Sequence, residues 1–134
     1  MNGSSELVLV RSVPATAGNV AALRHAVTRL ARDAGASDRT QGDIALAVGE
    51  ACGNVVLHAY PPGESGPLIL ESRLTGEREL EVVVADLGRG VAPRPDSTGL
   101  GLGLPLMSSL CKSLRITDGD RGIGTHVLMR FELD

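Results

Sequence analysis

The sequence predicts an α/β protein, more narrowly an α+β two-layer sandwich: a mostly antiparallel, mixed sheet with helices on one face. Two observations carry this. Apolar residues recur at helical spacing across residues 17–59, and the later chain consists of strand-like runs joined by short turns. Hairpin-joined strands beside helices in the order β-α-α-β-β-α-β-β give antiparallel pairing with the helices layered on one side.

The elements follow in order. Residues 7–10 form a short apolar run before Pro14 and read as a strand. Val20, Leu23, Val27 and Leu30 share one face of a helix over 17–34, which Gly35 stops. A second helix starts near Ser37 or Asp38 and runs to about Ala59, where Pro61, Pro62 and Gly63 forbid continuation. Residues 68–74 and 79–85 pair as a hairpin around Thr75-Gly76-Glu77. Residues 86–103, rich in Gly and Pro, are loop. Pro105 suits a first helical position, and that helix runs to about Cys111. Residues 114–117 and 125–133 are the last two strands. With no repeat or linker, one domain over residues 1–134 is expected.

Composition narrows the function. The 134 residues are enough to bury roughly two-thirds of the unfolded surface. The core must be aliphatic, since Tyr60 and Phe131 are the only aromatics. A net charge of −3, from 13 Lys+Arg against 16 Asp+Glu, lacks the basic stripe of a nucleic-acid binder. Cys52 and Cys111 fall in segments read as helical and are expected to be reduced, structural thiols, and no His/Cys cluster has zinc spacing. No apolar run approaches a membrane span, and the first residues lack the pattern of a signal peptide, so a cytoplasmic location is expected.

Two regions carry chemistry. In the second helix, Ile44, Val48, Ala51 and Val55 form the buried stripe, and Glu50 and Asn54, four apart, stack on a face about a third of a turn away. Such a pair alone is most often ordinary surface. Gly49 and Gly53 each cost about 1 kcal/mol of helix propensity relative to Ala, which fits either a close approach to the backbone or helix packing. Downstream, an apolar strand ends in Asp86-Leu87-Gly88-Arg89-Gly90, where a ligand can meet bare backbone. Gly99-Leu100-Gly101-Leu102-Gly103-Leu104-Pro105 then leads into a helix. Glycines ahead of a helix start suit phosphate, but a mobile surface loop reads equally well. The spacing is not the dinucleotide G-x-G-x-x-G, and no Lys-Ser/Thr follows as in a Walker loop.

In this order the motifs resemble the GHKL (gyrase, histidine kinase, MutL) ATPase superfamily over nearly the whole chain. Glu50-Ala51-Cys52-Gly53-Asn54 is similar to its N box. Asp86–Gly90 resembles its first glycine box, residues 99–103 its second, and Gly124-Thr125 its closing element. The resemblance implies ATP and Mg²⁺ as cofactors. Asp86 would accept from the adenine amino group, with Thr125 supporting it, and Gly88 and Gly90 would let the base lie against the chain. Asn54 would ligate Mg²⁺, and Gly101, Leu102 and Gly103 would offer N–H groups to the phosphates under a lid of residues 91–98. Glu50 would be the catalytic general base.

Within the superfamily, Glu50, Asn54 and the run Val55-Val56-Leu57-His58-Ala59-Tyr60 resemble the anti-sigma serine/threonine kinases. So does Gly101-Leu102-Gly103-Leu104-Pro105-Leu106-Met107. The implied partners are an anti-anti-sigma factor of the STAS type, as phosphorylation substrate, and a sigma factor. No direct nucleic-acid or membrane contact is implied, and a homodimer is compatible. The sequence departs from the family at Gly53, where Thr is common, and at Val55, where Ala is. The alternatives are a non-catalytic ATP-binding partner-switch module and a generic ATPase. His58 matches the family and is expected to be structural.

Overall fold

The computed structural model describes residues 6–76, 78–89 and 103–133. The elements are β1 (Glu6–Pro14), α1 (Ala17–Asp33), α2 (Asp38–Asn54), a π-helical turn (Val55–Ala59), β2 (Pro67–Thr75), β3 (Glu79–Asp86), α3 (Leu104–Leu110), β4 (Ser113–Asp118) and β5 (Thr125–Glu132). This is the expected order. The sheet has five strands in the order β1-β2-β3-β5-β4. Every pairing among the described residues is antiparallel, in keeping with the mostly antiparallel sheet expected. The reason is that β5 inserts between β3 and β4, and each neighbour then runs opposite to it.

Local chemistry sets the helix starts. Thr16 caps α1 by accepting from the Asn19 N–H at 3.4 Å, and Ser37 caps α2 by accepting from the Thr40 N–H at 3.1 Å. Gly35, at φ +99°, takes the chain out of α1. The first strand is longer than expected and includes Pro14, which is tolerated because β1 is an edge strand. Cys111 lies just past α3 rather than in it, while Cys52 is buried in α2. Burial pushes the Cys52 thiol up to about 12, so it stays neutral and inert.

The core lies between the helices and one face of the sheet. Leu23, Val27 and Ala31 of α1 and Ile44, Ala47, Val48, Ala51 and Cys52 of α2 meet Leu68 and Leu70 of β2, Leu80, Val82 and Val84 of β3, and Met129 and Phe131 of β5. Side chains alternate along a strand, so the row Leu80, Val82, Val84 continues to Asp86 on the same face. The last position of an otherwise apolar row is therefore a carboxylate facing the helices. Ser72, also on the inner face, is buried, and its Oγ has no partner among the described residues.

Candidate functional site

A cleft opens where α2, the π turn, α3 and the ends of β3 and β5 converge. It encloses about 470 Å³, mouth included, between apolar walls that include Val55, Leu104, Met107, Ile116 and Val127. Asn54, His58, Asp86 and Thr125 are its polar points. An aliphatic slot with a few placed polar groups suits a flat heteroaromatic group with a polar edge.

Asp86 is buried. Its Oδ1 accepts from the Gly88 N–H at 2.9 Å, and the Thr125 N–H, directly across the β3–β5 ladder, also reaches the carboxylate. Loss of hydration raises its pKa, while the Gly88 and Thr125 amides and nearby His126 pull it back without cancelling the rise. A carboxylate has about four acceptor sites, so capacity remains for a ligand's N–H groups.

Two glycines make this arrangement possible. A Cβ on Gly124, at φ +73°, would lie 1.8 Å from the Asp86 carbonyl oxygen, and one on Gly88 would lie 2.0 Å from the Ala59 carbonyl oxygen. The glycine at 88 is thus set by close packing of two backbones, in addition to any approach of a base.

Glu50 is half-buried on α2, one turn before Asn54. Its carboxylate packs against Gly103, where an added Cβ would come within 2.4 Å of Oε2. Gly103 is the N-cap of α3, at φ +66°, with no side-chain cap bond. Glu50 therefore meets Gly103, the end of the second glycine run, directly. Gly49 packs near Arg24 of α1, which is helix packing. Among the described residues nothing lies within 4 Å of a Cβ built at Gly53, so that helix surface is open to them.

The end of α2 grips the loop after β3. A helix leaves its last carbonyls without partners, and here the loop supplies them. The Arg89 N–H donates to the Ala59 carbonyl at 3.0 Å, and Arg89 Nε donates to the His58 carbonyl at 3.2 Å. The α-helix expected to run to Ala59 ends at Asn54, and the segment finishes as the π turn Val55–Ala59. Tyr60 then accepts from the Leu87 N–H at 3.1 Å and donates to the Pro67 carbonyl. Burial raises the Tyr60 phenol, the Leu87 amide lowers it, and the Asp86 charge raises it again.

Of the residues singled out from sequence, Asn54, Asp86 and Thr125 line one cleft, with Gly88 bonded to Asp86, and Glu50 and Gly103 meet at its margin. Gly90, Gly101, Leu102 and the lid of residues 91–98 lie outside the described residues. His58, expected to be structural, has an exposed side chain lining the cleft, and it is its carbonyl that holds the loop. Tyr60 and Arg89 were not singled out. The signals available were that Tyr60 closes the run of residues 55–60 quoted above and is the sole tyrosine, in a chain with a single Phe and no Trp.

Residues 13–131 match the family model described as the histidine kinase-like ATPase domain. A serine-protein kinase, RsbW, of Halalkalibacterium halodurans is 33% identical over 141 residues, covering 92% of this chain and 85% of that protein. The anti-sigma F factor of Clostridium acetobutylicum is 27% identical over 99 residues, covering 66% of this chain and 67% of the relative. Among solved structures, the RsbU and RsbW domains of a Mycobacterium tuberculosis protein superpose with a TM-score of 0.74 at 24% identity, covering 93% of this chain. The chain spans 31% of that structure. A blue-light activated histidine kinase of Erythrobacter litoralis gives a TM-score of 0.60 at 30% identity, over 73% of this chain and 32% of its own.

Proposed function

This chain belongs to the histidine kinase-like ATPase domain family, and from that premise we propose that it is an anti-sigma factor serine/threonine kinase. It binds Mg·ATP, phosphorylates a STAS-type anti-anti-sigma factor, and holds a sigma factor while that antagonist is phosphorylated. The observation that supports this most is the arrangement on one helix: Glu50 beside Gly103 at the cleft margin, and Asn54 one turn on, lining the cleft that ends in Asp86.

In this reading the adenine enters between Val55, Met107 and Val127 and gives its amino N–H to Asp86. The triphosphate extends toward Gly103. Among the described residues no group of three or more His, Cys, Asp or Glu side chains could hold a metal. Asn54 lines the cleft, and an amide oxygen is a hard donor of the kind Mg²⁺ takes beside waters and phosphate oxygens. Asn54 would be the amide ligand, and the ion would neutralise phosphate charge when bound.

Glu50 takes the proton from a serine or threonine hydroxyl as its oxygen forms the bond to the γ-phosphorus. The bond from that phosphorus to the β–γ bridging oxygen breaks, and ADP leaves with the electron pair. The position of Glu50 beside Gly103 is what suits it to this role.

Single-turnover phosphorylation of the antagonist beside an ATP titration tests the reading. Glu50→Gln keeps the shape and removes the basic oxygen, so transfer falls by about 10²–10⁴-fold with ATP affinity nearly unchanged. Asn54→Ala weakens nucleotide binding and transfer together. Wild-type transfer by Glu50→Gln would refute the mechanism. A non-catalytic binding module is the second reading, and it draws on one feature. At Gly53, next to Asn54, no described residue fills the space of a side chain, and the hydroxyl common in the family is missing. Absence of transfer to any antagonist, with ATP still bound, would favour it.

A further inference from the structure

We infer that Tyr60 is a positioning residue for the nucleotide base: by holding the Leu87 N–H it orients the Asp86 carboxylate and sets how strongly the cleft prefers adenine. The inference rests on the ATP reading above and adds a residue to it.

Tyr60 ties three separated segments together. Its ring stands against Gly66, where a Cβ would lie 2.3 Å from Cε1, so glycine there leaves the ring its place. Its hydroxyl donates to the Pro67 carbonyl at the start of β2 and accepts from the Leu87 N–H at 3.1 Å. That amide belongs to the peptide joining Asp86 to Leu87, so fixing it fixes the plane next to the Asp86 Cα. Two further bonds, from Arg89 to the Ala59 and His58 carbonyls, pin the far side of the same loop. Between them lies Gly88, whose N–H holds Asp86 Oδ1. The carboxylate's direction is therefore set by a frame in which Tyr60 is the only side chain reaching the Leu87 end among the described residues.

The phenol touches neither of the proposed reacting groups, so it acts through Asp86. Leu87 is exposed, and water can take over its N–H when the hydroxyl is removed. Loss of the bond should accordingly loosen the orientation of Asp86 more than it unfolds the domain.

Tyr60→Phe keeps the ring and removes only the hydroxyl. Calorimetric titration with ATP and with GTP, on the whole chain, should show ATP affinity falling by about 3- to 10-fold, the yield of one hydrogen bond. GTP affinity should hardly change, so the ratio of the two narrows. Transfer at saturating ATP should stay within about twofold, because Glu50 and Asn54 are untouched. The chain has one Tyr and no Trp, so wild-type tyrosine fluorescence, excited beyond the adenine band, reports this residue alone and should change on ATP saturation.

Unchanged ATP and GTP affinities in Tyr60→Phe, or an unfolded variant, would overturn the inference, the latter by making Tyr60 merely structural. So would tyrosine emission blind to ATP. A wild type that binds no ATP would instead sink the function proposed above and this inference with it.

Discussion

Gly103→Ala puts a methyl group where the Glu50 side chain now lies. The new Cβ would sit 2.4 Å from Glu50 Oε2, 2.5 Å from Cγ and 2.7 Å from Cδ. The backbone there is left-handed at φ +66°, which costs a residue with a Cβ about 1 kcal/mol. The collision is with the end of a flexible side chain, so Glu50 turns away at a further cost of about 1 kcal/mol. The domain should lose about 2 kcal/mol in all, and its Tm should fall by about 6–10 °C. Phosphotransfer should suffer far more. A base swung out of reach of the acceptor hydroxyl gives up about 10²-fold or more, while ATP affinity changes by less than about tenfold.

Gly88→Ala is the control, because its obstacle is the Ala59 carbonyl at 2.0 Å, a backbone atom that cannot swing aside. It should destabilise more, by about 3 kcal/mol, and weaken ATP binding through the displaced Asp86 loop. The assays are thermal melts, calorimetry and single-turnover transfer on both variants. A Gly103→Ala protein that transfers phosphate at the wild-type rate would refute the reasoning, since the place of Glu50 beside Gly103 would then not matter to the chemistry.

Other outcomes follow from buried polar groups. The Asp86 carboxyl has a raised pKa. Its favourable share of stability is therefore full below the unfolded value near 3.8 and lost as pH rises through the folded one. Asp86→Asn should then gain stability relative to wild type as pH rises above the unfolded value, while losing ATP affinity by about 5- to 100-fold. A variant that loses ground to wild type over that pH range would contradict the cause given for the shift. Ser72→Ala removes a buried hydroxyl with no partner among the described residues, and should stabilise by about 1 kcal/mol in denaturant titration. A lowered midpoint would mean that Ser72 Oγ has a partner.

Much of the site was legible in short-range pattern, because a helix repeats every 3.6 residues and a strand every two whatever surrounds it. That periodicity places Glu50 and Asn54 on one face of α2, and the parity of Leu80, Val82, Val84 and Asp86 turns the carboxylate toward the helices. What stayed hidden depends on residues far apart in the chain. The insertion of β5 between β3 and β4 brings Thr125 across from Asp86 and makes every described strand pairing antiparallel. The Ala59 and His58 carbonyls at the end of the π turn find their donors on Arg89, about thirty residues later. Gly88 reads from sequence as room for a ligand, but the Ala59 carbonyl already occupies the space a side chain would need. Local sequence determined which groups each element presents and on which face. Only tertiary packing decided which of them meet, since a hydrogen bond or a close backbone approach between distant segments leaves no period in the chain.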